Sequence, residues 1–292
     1  MDLDALRARY EQTPYHAALG VRVESIAPEA VRVRVPYKDD NSNPGRALHG
    51  GVSASTIVSA GALAAWTGLA DTPDLETSTL DLSVNYLAAA IGEDIVASAE
   101  VLRRGKEIVY SEIDVRTDAG KRIALGLVTY RAFDRTANSA AAERQRTAPA
   151  PPAPAAEEPV RGASAFVMAP FIARLGMQVE QASGGAAVLN MPFTPAHADP
   201  TGAMHEGALA ALIDSTGALA SWSITGLDIR FKASTVGIHV NYHTPARDEA
   251  VRAHARTLRR NNEIFLNQVT VSGCTSGLIV ATGSVTYRIV VT

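Results

Sequence analysis

The sequence repeats itself at a constant spacing of 156 residues. His49 begins the segment HGGVSASTIVSAGALAAWTGLA, His205 begins HEGALAALIDSTGALASWSI, and 205 − 49 = 156. The same spacing relates several further pairs, namely Pro14 and Pro170, Gly20 and Gly176, Trp66 and Trp222, Asn85 and Asn241, Tyr86 and Tyr242, Arg103 and Arg259, and Arg104 and Arg260. A single spacing kept over so long a span indicates a duplicated domain. The chain should therefore fold as two similar units.

Each repeat combines one long apolar segment with several alternating ones. The two His-initiated segments are small or apolar around their whole circumference, which is typical of a helix buried on all sides. The flanking segments alternate apolar and polar side chains, as half-buried strands do. The predicted strands of the first repeat are 20–26, 30–35, 78–87, 93–104, 107–117 and 122–133, and a short helix is predicted over 3–11. Each repeat is thus an α+β unit in which an antiparallel β-sheet wraps around a long central helix.

The composition of the middle of the chain separates the two repeats. Residues 134–162 are rich in Ala, Pro and charged residues, which cannot form a core and favour extended conformations. We therefore predict an N-terminal domain at 1–133, an Ala/Pro-rich linker at 134–162 and a C-terminal domain at 163–292. A chain of 292 residues with 47% hydrophobic residues has room for two such cores.

Charge and cysteine content exclude several classes of protein. The net charge of −3 gives no reason to expect a nucleic-acid partner. The single cysteine excludes an intrachain disulfide and a cysteine-rich metal site. The N-terminus has no apolar run of signal-peptide length, and the uncharged stretches are interpreted as buried helices instead of membrane spans. We expect a cytoplasmic protein without metal.

Asp214 is the most informative residue of the second apolar helix. After Glu206 in the first turn it is the only charged residue there, and the spacing of 156 places Val58 at the equivalent position of the first helix. A buried carboxylate loses several kcal/mol of solvation unless partners replace the water. Asp214 is therefore expected to have either a structural partner or a chemical task.

Taken together, these motifs resemble a known family. A loop with Asn, HGG opening a buried helix, Asp nine residues after the His, and a strand such as STVGIHVNYHTPA are similar to the PaaI-like hotdog-fold acyl-CoA thioesterases. The resemblance covers nearly all of both repeats. It implies two tandem hotdog domains that pair edge to edge as a double hotdog, with composite sites between them.

The length of the helix also indicates that a site must be shared. Asp214 lies roughly 10 Å beyond the first turn of its own helix, at about 1.5 Å per residue, whereas a thioester hydrolase needs amide donors and a carboxylate within about 3 Å of the reacting atoms. Amides of one repeat must then meet the Asp of the other. Site one is predicted to comprise Asn43, His49, Gly50, Gly51, Asp214 and Thr235. Site two would comprise Asp199, His205, Glu206, Gly207, Val58 and Thr79.

The resemblance implies roles for the residues of site one. Asn43 and the Gly50 amide would hold the thioester carbonyl, Thr235 would orient Asp214, and His49 and Gly51 would contact the substrate. Asn43 could instead only shape its turn, with Asn41 close by, and His49 could only bond to backbone. Site two has Val58 for Asp, Asp199 for Asn43, and Glu206 beside the amides, so we expect one working site.

The substrate and the assembly follow from the same resemblance. The substrate would be an acyl-CoA, whose coenzyme A is part of the substrate and not a cofactor. Arg103, Arg104, Arg259 and Arg260 at hairpin turns could bind its phosphates, although such charges often only face solvent. A homodimer of double-hotdog chains is expected. Asp214 would act as general base or as nucleophile, and the alternative function is non-catalytic binding or sensing of acyl-CoA.

Overall fold

The described part of the protein, in a computed structural model, comprises residues 2–69, 75–134, 163–228 and 230–291. Residues 135–162, which contain nearly all of the predicted linker, lie outside it.

In the N-terminal half, two short helices precede a hairpin, a long helix and four further strands. Their bounds are α1 Leu3–Gln12, α2 Pro14–Leu19, β1 Arg22–Ala27, β2 Ala30–Val35, α3 Gly50–Thr67, β3 Leu75–Tyr86, β4 Ile95–Arg104, β5 Ile108–Thr117 and β6 Arg122–Asp134. A 3₁₀ turn at Asp39–Asn41 leads towards α3.

The C-terminal half repeats this order. Its elements are α4 Ala163–Val167, α5 Pro170–Arg174, β7 Gln178–Ser183, β8 Ala186–Met191, α6 Glu206–Thr225, β9 Lys232–Tyr242, β10 Val251–Asn261, β11 Ile264–Gly273 and β12 Ile279–Val290. The 3₁₀ turn before α6 spans Pro195–His197.

The two halves share one sheet of 12 strands in the order β1-β2-β4-β5-β6-β3-β9-β12-β11-β10-β8-β7. The central strands β3 and β9 pair antiparallel, and Ser83 lies opposite His239. These two residues occupy equivalent positions in the two repeats, since 239 − 83 = 156. On either side of them, Leu82 pairs with Val240, the equivalent of Val84, and Val84 pairs with Ile238, the equivalent of Leu82. An approximate twofold axis therefore passes between Ser83 and His239.

The long helices α3 and α6 pack against the sheet and against each other. Almost every residue of both helices is buried, as the uniform apolarity of the two segments predicts. They approach most closely where each begins: a Cβ on Gly51 would lie 2.7 Å from Ala211 Cβ, and one on Gly207 would lie 2.8 Å from Ser55 Cβ. This contact brings the first turn of each helix to the middle of the other. No helix in the described ranges is long and apolar enough to cross a membrane.

The predicted strands and long helices are present, with ends that differ by a few residues. The short helices α2 and α5 were not predicted. The repeated prolines begin them: Pro14 is the first residue of α2 and Pro170 the first residue of α5. Proline fits the first helical position because the amide there has no intrahelical acceptor.

Candidate active site

Asp214 lies in the middle of α6 with only 3% of its surface exposed. Its Oδ1 accepts a hydrogen bond of 2.6 Å from the hydroxyl of Thr235 on β9. A buried carboxylate needs such a partner because it has lost its water. Thr235 is thus in direct contact with Asp214, as the prediction for site one requires.

The first turn of α3 is held by His49. The imidazole Nδ1 accepts a hydrogen bond of 2.9 Å from the Gly51 amide, which makes His49 the N-cap of the helix. The Val52 amide donates to the His49 carbonyl. Among the described residues the Gly50 amide has no acceptor, so it remains free to donate to a ligand.

The first turn of α3 and the middle of α6 meet at Gly50. A Cβ on Gly50 would lie only 2.9 Å from Asp214 Oδ2, and His49 Nδ1 is 4.0 Å from the same oxygen. A side chain at residue 50 would therefore collide with the carboxylate. A free amide of the N-terminal half and a carboxylate of the C-terminal half lie side by side here.

Burial sets the protonation of the two titratable groups of site one. It raises the pKa of Asp214 to about 6, and the Thr235 hydrogen bond opposes this shift. Burial lowers the pKa of His49 to about 4. At pH 7 Asp214 is therefore mainly ionised and His49 is neutral. Because His49 Nδ1 accepts a hydrogen bond, its proton is on Nε2.

Tyr86 completes the frame of site one and was not predicted as a site residue. Its hydroxyl donates to the Gly50 carbonyl over 3.0 Å, and its ring would lie 3.6 Å from a Cβ on Gly50. The sequence carries a signal, because Asn85 and Tyr86 recur in the second repeat and belong to the strand motif of the family resemblance, but neither feature assigns Tyr86 a role in the site. Phe171 of α5, whose ring centroid lies 4.8 Å from that of His49, was also missed.

Asn43 lies in the loop before α3, and its backbone amide donates to the Ala47 carbonyl. Among the described residues no hydrogen bond joins its side chain to Gly50 or Asp214. The neighbouring Asn41 has a structural role: it is fully buried, donates to the Leu19 carbonyl and accepts from Arg174. Asn43 is therefore the one of the two that is free to meet a ligand.

The four predicted arginines lie at the ends of strands and differ in their contacts. Arg104 is bonded to Glu29 and to the Ala65 carbonyl near the end of α3, which gives it a structural role. Arg260 donates to the Asn262 carbonyl and lies over the Phe265 ring. Arg103 and Arg259 are exposed, each next to a bulge in its strand. Contact with coenzyme A stays a prediction for all four.

Site two brings Glu206 and Thr79 together. Glu206 Oε2 accepts a hydrogen bond of 2.6 Å from the Thr79 hydroxyl, and Oε1 accepts from the Thr79 amide over 3.2 Å. Burial raises the pKa of Glu206, and its bonds to Thr79 oppose the shift. Glu206 therefore turns towards the strand of the other repeat, which the sequence interpretation did not foresee.

The remaining residues of site two form a frame like that of site one. His205 Nδ1 accepts from the Gly207 amide over 2.9 Å, and the Tyr242 hydroxyl donates to the Glu206 carbonyl over 3.1 Å. Asp199 turns into its own loop and accepts from the amides of Thr201 and Ala203.

The described residues contain no group of three His, Cys, Asp or Glu side chains placed to hold a metal ion.

Comparison with known proteins identifies the fold and the family. A model of the thioesterase superfamily matches residues 45–124 and 201–272, the corresponding part of each repeat. Human acyl-coenzyme A thioesterase 13 is 28% identical over 126 residues, which are 42% of this chain and 88% of that protein.

Solved structures resemble the whole chain. A hot dog fold protein of unknown function from Alicyclobacillus acidocaldarius superposes with a TM-score of 0.66 at 14% identity, covering 97% of this chain and 98% of that one. Acyl-CoA thioesterase II of Mycobacterium marinum superposes with a TM-score of 0.60 at 14% identity, covering 96% and 97%. At such identities the likeness concerns the fold, and it confirms the predicted α+β fold of two tandem hotdog domains.

Proposed function

The chain belongs to the thioesterase superfamily and is a thioester hydrolase, and on this premise we propose that it hydrolyses acyl-CoA at site one, between its two repeats. The name of the human relative, an acyl-coenzyme A thioesterase, supports coenzyme A as the thiol part of the substrate. Turnover of a panel of acyl-CoA compounds would identify the acyl group of the substrate.

The observation that carries this proposal is the position of Asp214 relative to α3. Its Oδ2 lies 2.9 Å from the place of a Cβ on Gly50, beside the unpaired Gly50 amide. Hydrolysis of a thioester needs a donor at the carbonyl oxygen and a base or nucleophile at the carbonyl carbon. Gly50 and Asp214 supply these two groups from opposite repeats.

In the proposed reaction the substrate carbonyl oxygen accepts a hydrogen bond from the Gly50 amide, with Asn43 as a second donor. The partial positive charge at the start of α3 stabilises the negative charge that develops on this oxygen. His49 and Gly51 hold the first turn of the helix in place. The tetrahedral centre forms against this turn.

Asp214 acts on the carbonyl carbon in one of two ways. As general base it accepts a proton from a water molecule whose oxygen adds to the carbon, and the C–S bond then breaks and the thiolate takes up a proton. As nucleophile its oxygen adds to the carbon, the C–S bond breaks and the thiolate leaves and takes up a proton, and water then hydrolyses the resulting mixed anhydride to the free acid and the Asp214 carboxylate. Both routes begin with the ionised carboxylate, which Thr235 orients.

Substitution of Asp214 tests the proposal. We expect Asp214→Asn to lower thiol release from acyl-CoA by about 10²-fold or more, because general-base catalysis contributes roughly 10²–10⁴-fold. The fold should persist, since Asn is nearly the same size and can still accept from Thr235. The assay follows free thiol over a panel of acyl chain lengths.

Asp248→Asn is the matched control, because Asp248 is exposed in the loop before β10. Its turnover should equal that of the wild type. The assignment is wrong if Asp214→Asn hydrolyses acyl-CoA at the wild-type rate. Tight binding without thiol release for every acyl-CoA would instead favour a binding or sensing protein.

A further inference from the structure

Sites one and two each contain a carboxylate held by an equivalent threonine. Asp214 accepts from Thr235 over 2.6 Å in site one, and Glu206 accepts from Thr79 over 2.6 Å in site two. The two threonines are equivalent, since 235 − 79 = 156. The carboxylates are not equivalent, because Asp214 comes from the middle of a helix and Glu206 from the start of one.

Residue 50 in site one and residue 206 in site two differ in the space that the facing helix leaves for a side chain. In site one the facing helix supplies the acid, and any side chain at residue 50 would begin 2.9 Å from Asp214 Oδ2. A Cβ there would have to displace the carboxylate. In site two the facing helix has Val58, which brings no carboxylate, and residue 206 is Glu. The helix without an Asp therefore faces a helix that begins with Glu instead of Gly, so each site contains one carboxylate.

Site two also retains the other groups of a hydrolytic site. The Glu206 amide is the first of α6 and, within the described ranges, has no acceptor. His205 caps the first turn through the Gly207 amide, and Tyr242 holds the Glu206 carbonyl. The amide and the hydroxyl of Thr79 both donate to the Glu206 carboxylate, which holds this acid against strand β3 of the other repeat.

We propose that site two is a second acyl-thioester hydrolysis site, in which Glu206 takes the part that Asp214 takes in site one. This inference rests on the proposed function. Glu206 accepts a proton from water as the water oxygen adds to the carbonyl carbon, the Glu206 amide donates to the carbonyl oxygen, and the C–S bond breaks with protonation of the leaving thiolate.

Site two is the slower of the two sites. Asp199 occupies the position of Asn43, and a carboxylate cannot donate a hydrogen bond to a carbonyl oxygen. Loss of one such donor costs about 10²–10³-fold in rate. The second site therefore contributes on the order of one hundredth of the wild-type turnover, which becomes visible once site one is disabled.

Thiol release by variants tests this inference. Asp214→Asn should retain a residual rate near one hundredth of the wild type, and Asp214→Asn with Glu206→Gln should fall at least about tenfold further. Glu112→Gln in the Asp214→Asn background is the control, because Glu112 is exposed on β5, and it should leave the residual rate unchanged. Equal residual rates with and without Glu206→Gln overturn the inference.

Binding stoichiometry gives a second readout that separates the alternatives. The probe is the thioether analogue of the acyl-CoA that the wild type hydrolyses fastest, titrated calorimetrically into the full chain. We expect two molecules per chain. One molecule in the wild type and two in Glu206→Gly would mean that Glu206 only closes site two, and this would also overturn the inference. If the wild type released no thiol from any acyl-CoA, the proposed function itself would fail.

Discussion

Asp214 is buried among apolar side chains and yet mainly ionised at neutral pH. Desolvation raises the pKa to about 6 but not further, because the Thr235 hydroxyl stabilises the charged form. A base is most effective when its pKa lies near the working pH. One hydrogen bond thus helps to keep the buried carboxylate ionised at neutral pH.

The pH dependence of turnover should report this balance. In the proposed reaction the ionised form of Asp214 is the active one, so kcat/KM should fall about tenfold per pH unit below the pKa of Asp214, which lies at about 6. Thr235→Val removes the hydrogen bond to the charged form, so the acidic limb should move to higher pH by about one unit. The measurement is a pH profile of thiol release from about pH 4 to about pH 8, roughly two pH units on each side of the pKa.

Thr270→Val on β11 is the control, because Thr270 lies on a strand that is not adjacent to β9. Its profile should match that of the wild type. An acidic limb that stays in place after Thr235→Val would contradict a role for Thr235 in setting the pKa of Asp214.

Single residues of the site differed in how far the sequence could predict them. Asp214 stood out as a lone acid in an apolar helix with Val58 at the equivalent position, and the family resemblance, not the burial alone, implied a chemical task for it. For Glu206 the sequence shows a charge at the start of α6, but not the Thr79 hydroxyl to which the side chain turns. Its partner comes from a strand 127 residues away, which no local pattern reveals.

At the scale of elements, the site depends on how closely α3 and α6 approach. A Cβ on Gly51 would lie 2.7 Å from Ala211 Cβ and 3.0 Å from Ala211 Cα. Such distances are well below van der Waals contact, so a larger residue must push the helices apart. The same movement would separate Gly50 from Asp214, which lies on the next turn after Ala211.

Gly51→Ala should therefore reduce both stability and turnover. Overpacking costs about 1–3 kcal/mol of unfolding free energy, and a shift near 1 Å can cost about 10²-fold in rate. Ala211→Gly in the same chain reopens the space and should recover part of both losses, less roughly 0.5–1 kcal/mol for the added helical glycine. Denaturant unfolding and thiol release measure the two effects.

Ala211→Gly alone is the control for the double variant. Its unfolding free energy should fall only by the roughly 0.5–1 kcal/mol that a glycine costs in a helix, and it should keep most of its turnover. If Gly51→Ala unfolded at the wild-type denaturant concentration and kept full activity, the distance between the helices would not limit the site.

The long elements were predictable because their apolar periodicity is local. The short helices α2 and α5 were not, since each has only a few residues and owes its position to packing: Tyr15 of α2 stacks on His205, and Phe171 of α5 contacts His49. Each short helix therefore contacts the histidine that caps the long helix of the other repeat. These contacts between distant parts of the chain have no signature in the local sequence.

At the scale of the whole molecule, the pairing of β3 with β9 joins the two repeats. The resemblance to hotdog thioesterases implied that the repeats pair edge to edge, but not that the equivalent residues Ser83 and His239 would lie opposite each other. That register depends on the fit of two sheets and two helices at once. The association of two chains into a homodimer and a cytoplasmic location stay predictions.

The shared sheet and the contact between α3 and α6 should make the two repeats unfold together. Separate domains would expose little new apolar surface on parting, whereas here the core is continuous across both halves. Calorimetry should therefore show one transition in which the calorimetric and van't Hoff enthalpies agree. Two resolved transitions would contradict this coupling.

Large-to-small substitutions in each half sharpen the test. Ile113 on β5 and Phe265 on β11 are fully buried, so Ile113→Ala should cost about 2–5 kcal/mol and Phe265→Ala about 3–5 kcal/mol. Each should lower the midpoint of the same single transition. Leu258→Ala is the control, since Leu258 is 62% exposed and surface changes stay within about 0.5 kcal/mol. If Ile113→Ala split off an early transition and left the rest unchanged, the repeats would be independent, and the sites that they share would not depend on a common core.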